Sequence, residues 1–275
     1  MSVISTHNED AGFFSCCAVK LLDITTYINK NNKFPDYVDS LNQFNMYKKH
    51  KTEDITYDYF EHYNNIKDIN IVPLTYHYRR IKYHWKHQYI DYSKLDYNHI
   101  IPVVTKFFSP STQIINKVEI LKHKYNIDYD NTIAVYYRAT DKHDTQIASY
   151  ETFYNKIVEI IKIIDYDTNE KQQIIIQTDT SQFVDYINSK HLENVIIFNE
   201  NSTSYSNRGI HNEKTYEQNG IDMFNLFPIF LILSKCKYFI CGSGNVSIWI
   251  MYYRDNINHV YQFLNGIWYG NKINY

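Results

Sequence analysis

Three short polar segments, each following an apolar run, carry residue types suited to holding a phosphorylated ligand. The first is Arg138-Ala139-Thr140-Asp141-Lys142-His143-Asp144. A guanidinium at the carboxyl end of a strand grips a diphosphate well, because its planar fork makes paired, charge-assisted hydrogen bonds to two oxygens. Arg138 also admits a plain structural reading, a salt bridge with Asp141. The second segment, Gln177-Thr178-Asp179-Thr180, offers a carboxylate able to accept hydrogen bonds from a ribose or a base. The same Asp179 suits the N-cap of a following helix. The third, Cys241-Gly242-Ser243-Gly244-Asn245-Val246-Ser247, leads directly into an apolar stretch. Glycine allows close approach to the backbone, and the amides and positive end of a helix N-terminus favour a phosphate. The loop is neither a Walker A nor a GxGxxG sequence, which removes support for a kinase or a dehydrogenase.

The elements that must position these segments follow from apolar periodicity. Residues 133–137 form a short β-type run, and residues 150–164 repeat apolar side chains at helical spacing. A second buried strand is expected at 174–176, a short helix at 183–187 and a third strand at 195–198. A polar loop over 199–218 precedes a buried helix at 222–233, expected to kink at Pro228. A strand at 238–241, a helix at 246–253 and a strand at 259–263 complete the series. Strands that are apolar throughout and separated by helices imply a parallel sheet covered on both faces. Such sheets bind ligands beyond the carboxyl ends of their strands, where the three polar segments fall. In the first half, Gly12-Phe13-Phe14 precedes an expected helix at 15–29 and a strand at 34–38. A strand at 100–104 and a helix at 112–125 follow. The reading is a smaller α/β unit over 1–125 and a nucleotide-binding α/β unit over 126–275.

Composition narrows the function classes. The hydrophobic fraction of 44% supports a buried core. Twenty-eight tyrosines beside abundant Asn, Ile and Lys, with only 7 glycines, fit an AT-rich coding sequence, as in many large DNA viruses, better than a surface built for stacking. A net charge of −2 argues against a dedicated nucleic-acid binder. Cys16, Cys17, Cys236 and Cys241 have neither zinc-site spacing nor the density of a disulfide scaffold, so a reducing, cytoplasmic setting is expected. The first residues carry no charged segment followed by an apolar run, and the apolar stretch 223–233 is too short to cross a bilayer, so neither signal peptide nor membrane span is expected.

In their order and spacing the three segments resemble the fucosyltransferase superfamily of α-1,6-, α-1,2- and protein O-fucosyltransferases. The matching residues are Tyr136-Tyr137-Arg138-Ala139-Thr140-Asp141-Lys142, then Thr178-Asp179-Thr180, then Leu233-Ser234-Lys235-Cys236 with Ser243-Gly244-Asn245-Val246-Ser247. The match covers residues 133–253. The resemblance implies a GT-B-like architecture, two Rossmann-like halves whose parallel sheets face each other across a cleft. It also implies inverting, metal-independent transfer, without a cofactor, from a GDP-sugar or other NDP-sugar to a glycan or protein acceptor, with fucose the leading donor sugar. By residue matching, Arg138 binds the donor diphosphate, Asp179 contacts the nucleoside, and Ser243, Gly244, Asn245 and Val246 form the phosphate-facing loop. Gly12 and Phe13 resemble the glycine-containing first loop, and His211 a Gly-x-His element near the nucleotide.

The sequence departs from the family pattern at Tyr136, Ala139 and Thr180, and the apolar run 230–233 lacks a carboxylate that several members carry. These departures motivate an alternative, a nucleotide-sugar or glycan-binding protein of the same fold without turnover. For transfer, Asp144 is the expected base, with Glu151 the other nearby carboxylate. The basic, aromatic stretch from Tyr76 to His87 admits three uses: an acceptor site, a single-stranded nucleic-acid site and a solvated surface.

Overall fold

The computed structural model describes residues 2–6, 11–63, 80–81, 84–85, 90–140, 145–168, 171–206 and 208–270. The chain opens with β1 (Val3–Ser5), α1 (Phe13–Asn31) and β2 (Tyr37–Asp39), a βαβ unit in which β1 and β2 pair in parallel. Helix α1 ends at Asn32, whose left-handed backbone (φ 50°) lets its N–H close onto the Ile28 carbonyl. After a 3-10 turn at Asn45–Tyr47 come α2 (Thr56–Tyr59) and β3 (Phe60–Glu61). Strands β4 (Arg80–Ile81) and β5 (His84–Trp85) form a short antiparallel pair.

Next are α3 (Tyr97–Phe107), β6 (Ser109–Pro110), which pairs with β3, and α4 (Thr112–Lys124). The segment 100–104 is thus helical, not the strand expected from its five apolar or proline residues. Asp96 caps the helix, accepting from the His99 N–H at 3.3 Å. Ile100, Val103, Val104 and Phe107 then fall on one buried face at helical spacing. A window confined to the apolar run hides that period, and Pro102 is accommodated inside the helix.

The second half supplies β7 (Thr132–Tyr137), α5 (Tyr150–Thr168), β8 (Gln173–Thr178), α6 (Ser181–Ser189) and β9 (Val195–Ile196). They are followed by α7 (Tyr216–Lys235), β10 (Tyr238–Gly242), α8 (Asn245–Arg254), β11 (Val260–Leu264) and β12 (Ile267–Gly270). Helix α7 starts six residues earlier than expected, because Thr215 caps it by accepting from the Gln218 N–H at 3.2 Å, and it continues through Pro228. The six strands lie in the order β12-β11-β10-β7-β8-β9; all pairings are parallel except that of the edge strand β12. Chain direction across the sheet reverses between β7 and β10, the place where doubly wound sheets open a ligand crevice.

Alternate residues of each strand face opposite layers. Ile133, Val135, Ile174 and Ile176 pack under α5 and α6 with Phe153, Ile157 and Phe183. Ala134, Tyr136, Ile175, Phe239 and Cys241 face the other way, into a core shared with α1, α3, α4, α7 and α8. That second core joins the halves. Phe14 of α1 meets Phe227, Phe230 and Trp249 at ring separations of 5.7 to 5.9 Å.

Candidate active site

The polar ends of β7 and β8 meet at one carboxylate. Arg138 follows β7 directly, and its Nε lies 3.6 Å from Oδ2 of Asp179, the residue that follows β8. Asp179 also accepts from the Ala139 N–H at 3.1 Å and from the Thr140 hydroxyl at 2.7 Å. Two hydrogen-bond donors and the guanidinium of the Arg138 loop therefore converge on Asp179 and fix the direction in which the guanidinium leaves the sheet. The partner seen for Arg138 is Asp179; Asp141, its alternative partner in the sequence, lies outside the described residues. Nor is Asp179 a helix cap, since the N-cap of α6 is Thr180. With 32% of its side chain exposed, Arg138 stands at the mouth of a cleft.

Two helix N-termini face the same cleft. Gly12, Phe13, Phe14 and Ser15 at the start of α1 line it, as do Asn245 and Val246 at the start of α8. Asn245 Nδ2 donates to Ser15 Oγ at 2.6 Å and ties the two helix starts together. The Phe13 N–H donates to the Tyr47 hydroxyl at 2.8 Å. Burial pushes the Tyr47 phenol well above its ordinary pKa, so it stays a neutral partner. Each helix start carries roughly half a positive charge. Beside a guanidinium, two of them make the mouth favourable to an anion with several oxygens.

The cleft has a cavity volume of about 130 Å³ and opens to solvent at its mouth. Gly12, Phe13, Arg138, Asp179, His211, Asn245 and Val246 all line it. Ser243 and Gly244 are not among its lining residues. The N–H and hydroxyl of Ser243 both donate to the Phe263 carbonyl, at 3.1 and 2.9 Å, and Gln262 Nε2 donates to that hydroxyl at 2.8 Å. The Gly244 N–H donates to the Tyr92 hydroxyl at 3.1 Å. Their polar groups are engaged in anchoring the turn, and the cleft is left to the next two residues. His211 sits half-buried in a 3-10 turn, Ile210–Asn212, and its carbonyl accepts from Asn219 Nδ2 at 2.8 Å.

Asp144 lies outside the described residues, as do the side chains of the stretch from Tyr76 to His87. Glu151 is exposed in the first turn of α5 and does not line the cleft. Among the described residues, no group of three or more His, Cys, Asp or Glu side chains is placed to hold a metal ion.

Sequence reasoning gave no role to Tyr47, Gln177, Asn201, Asn219 or Asp222; all five line the cleft. Asp222 is ion-paired with Lys214 and accepts from Gln218 Nε2 at 2.8 Å. Lys214 also donates to Ser202 Oγ at 3.0 Å. Gln177 was detectable in principle: it directly follows the apolar run 174–176 of a central strand and opens the second polar segment.

No protein-family model and no curated protein matches the chain. Among solved structures it is similar to fucosyltransferase NodZ from Bradyrhizobium, with a TM-score of 0.51 and 11% identity over 95% of this chain and 96% of that one. Two further structures are of NodZ α-1,6-fucosyltransferase, one soaked with GDP-fucose and one co-crystallised with GDP. They match at TM-scores of 0.42 and 0.41 and identities of 14% and 13%, over 62% and 61% of this chain. The chain spans about half the length of those two, 50% and 49%. The likeness is one of fold: this chain has the α/β, GT-B-like architecture of NodZ, with a parallel Rossmann-like sheet.

Proposed function

We propose that the chain is a glycosyltransferase that holds a nucleoside-diphosphate sugar in this cleft, with a GDP-sugar the leading donor and fucose the leading sugar. The observation that carries this reading is the meeting of Arg138, oriented by Asp179, with the N-termini of α1 and α8 at the reversal point of the sheet. Those groups suit a diphosphate. They act on the reaction as well as on binding, because charge grows on the departing nucleoside diphosphate as its bond to the sugar breaks. A fixed guanidinium and fixed helix ends stabilise that developing charge without having to reorient, so they lower the barrier and not only the dissociation constant. Transfer is inverting and metal-independent in this reading, and the acceptor is a glycan or protein hydroxyl. Residues 1–125 form the acceptor side and 126–275 the donor side.

The acceptor's proton goes to Asp144. Among the described residues, the carboxylates that line the cleft are Asp179 and Asp222, and both are ion-paired, with Arg138 and Lys214. That pairing also favours a second reading, a nucleotide-sugar or glycan-binding protein without turnover. Asp144→Asn separates them: loss of transfer with donor affinity kept supports catalysis through Asp144.

The first test is thermal stabilisation by GDP, UDP, dTDP and their sugars, since a ligand bound only by the folded chain raises apparent stability. A GDP-selective rise in Tm that disappears in Arg138→Ala is expected. Indifference to every nucleotide, or an unchanged rise in Arg138→Ala, overturns the proposal.

A further inference from the structure

At the floor of the cleft, Gln177 presents an acceptor that no group among the described residues meets. It is the fifth residue of β8, paired in register with Tyr136 of β7, and only 3% exposed. Its Nε2 donates to Asn201 Oδ1 at 2.8 Å, and Asn201 Nδ2 donates to the Thr178 carbonyl at 2.9 Å. Its Oε1 has no hydrogen-bond partner among the described residues.

The far end of this relay fixes its direction. A backbone carbonyl only accepts, so Asn201 must turn its nitrogen to Thr178 and its oxygen to Gln177. Gln177 must then turn its own nitrogen to Asn201, which leaves its oxygen over. Flipping either amide sets oxygen against oxygen. A buried acceptor in this state is costly unless something donates to it.

The geometry points to Gln177 as the residue that reads the nucleobase: its Oε1 accepts from an N–H on the edge of the base. The inference rests on the nucleotide reading above and deepens it by naming the group the base must offer. Arg138 and Asp179 meet just beyond the ends of β7 and β8, and the start of α8 follows β10; Gln177 lies within β8, two residues before Asp179 and on the side of β7 away from β10. The same cleft is lined by Ile210, Met223, Leu226 and Phe230, an apolar wall suited to a flat ring and poorly suited to a ribose or a phosphate. Phe230 stands edge-on to Tyr136, the cross-strand neighbour of Gln177, at 5.8 Å. The oxygen is screened from bulk water.

Calorimetric titration of the full chain and of Gln177→Met with GDP, purine riboside 5′-diphosphate and inorganic pyrophosphate tests the assignment. The purine riboside base carries no N–H. The wild type should bind GDP about tenfold or more tighter than purine riboside 5′-diphosphate, a preference that collapses to about twofold in Gln177→Met. Pyrophosphate should bind both proteins equally.

A preference retained in Gln177→Met, or pyrophosphate binding weakened as much as GDP binding, overturns the assignment. Should Gln177→Met fail to fold, the wild type alone decides. Equal affinity for GDP and purine riboside 5′-diphosphate overturns the inference, and so does a loss confined to 2′-deoxy-GDP, which would assign the acceptor to a ribose hydroxyl. Binding of GDP with Gln177 indifferent sinks this inference alone; binding of no nucleotide sinks the reading beneath it.

Discussion

Asp179 is the residue on which the phosphate end of the cleft turns, because two hydrogen-bond donors and the guanidinium of the Arg138 loop meet there. Asp179→Asn keeps the shape but turns an amide nitrogen toward one or more of those donors. Nucleotide affinity should fall several-fold, less than in Arg138→Ala, with a stability loss of about 1–3 kcal/mol, read by calorimetry and denaturant melts. A second buried charge makes a prediction in pH. Lys20 is 4% exposed, and burial lowers its pKa from the ordinary 10.5 to about 8, against the pull of Asp39. Between those two values the unfolded chain binds a proton that the folded chain has released. Stability therefore climbs as pH rises from about 8 to 10.5, and the cost of burying the charged amine is felt in full below pH 8. Lys20→Met removes this slope. Its stability relative to the wild type should decline by about 3 kcal/mol across that window, measured as the difference between two urea-melt series. A parallel pair of pH profiles would count against the buried charge.

At the scale of elements, legibility followed burial. Strands β7, β8, β10 and β11 are covered on both faces, so they read as mostly apolar runs and were located within a residue or two. Strand β1 is three residues long and β12 is a half-exposed antiparallel edge, so neither left such a run. The stretch at Ile100 left the same trace as a strand because five residues are too few to separate the two periods. The lining of the cleft was legible where a charged residue ended a strand, as at Arg138 and Asp179. It was illegible at Ser243 and Gly244, whose partners Phe263, Gln262 and Tyr92 are distant in sequence. One helix crossing was equally invisible. A Cβ on Gly220 of α7 would stand 2.7 Å from the Tyr47 carbonyl oxygen, where both sides are backbone. Alanine favours a helix over glycine by about 1 kcal/mol, yet the forced separation should outweigh this and leave Gly220→Ala about 1–3 kcal/mol less stable. Tyr47 also holds the Phe13 N–H at the cleft wall, so the thermal shift by GDP should shrink in the same variant.

For the molecule as a whole, the two halves meet through a core and not through a hinge. One buried cluster runs from Phe13 and Leu21 of α1 through Val103 and Ile114 to Phe227, Trp249 and Val260. The proposed boundary at residue 125 therefore divides chain segments that bury each other's rings. Domains that meet over a small polar interface unfold and move separately; segments that share a core do not. Phe227 decides between these descriptions, since it is fully buried and touches rings from both sides, Phe13 at 6.2 Å, Phe60 at 5.7 Å and Tyr253 at 5.7 Å. Phe227→Ala should cost about 3–5 kcal/mol. The loss should appear as one cooperative transition moved to lower denaturant, with far-ultraviolet circular dichroism and tryptophan fluorescence coincident. Amide exchange in α1 and in β7 should then open with the same reduced free energy, because neither can lose the shared core without the other. If α1 alone became labile while β7 kept its protection, the donor half would be stable without its neighbour, and the cleft would be an interface between independent bodies.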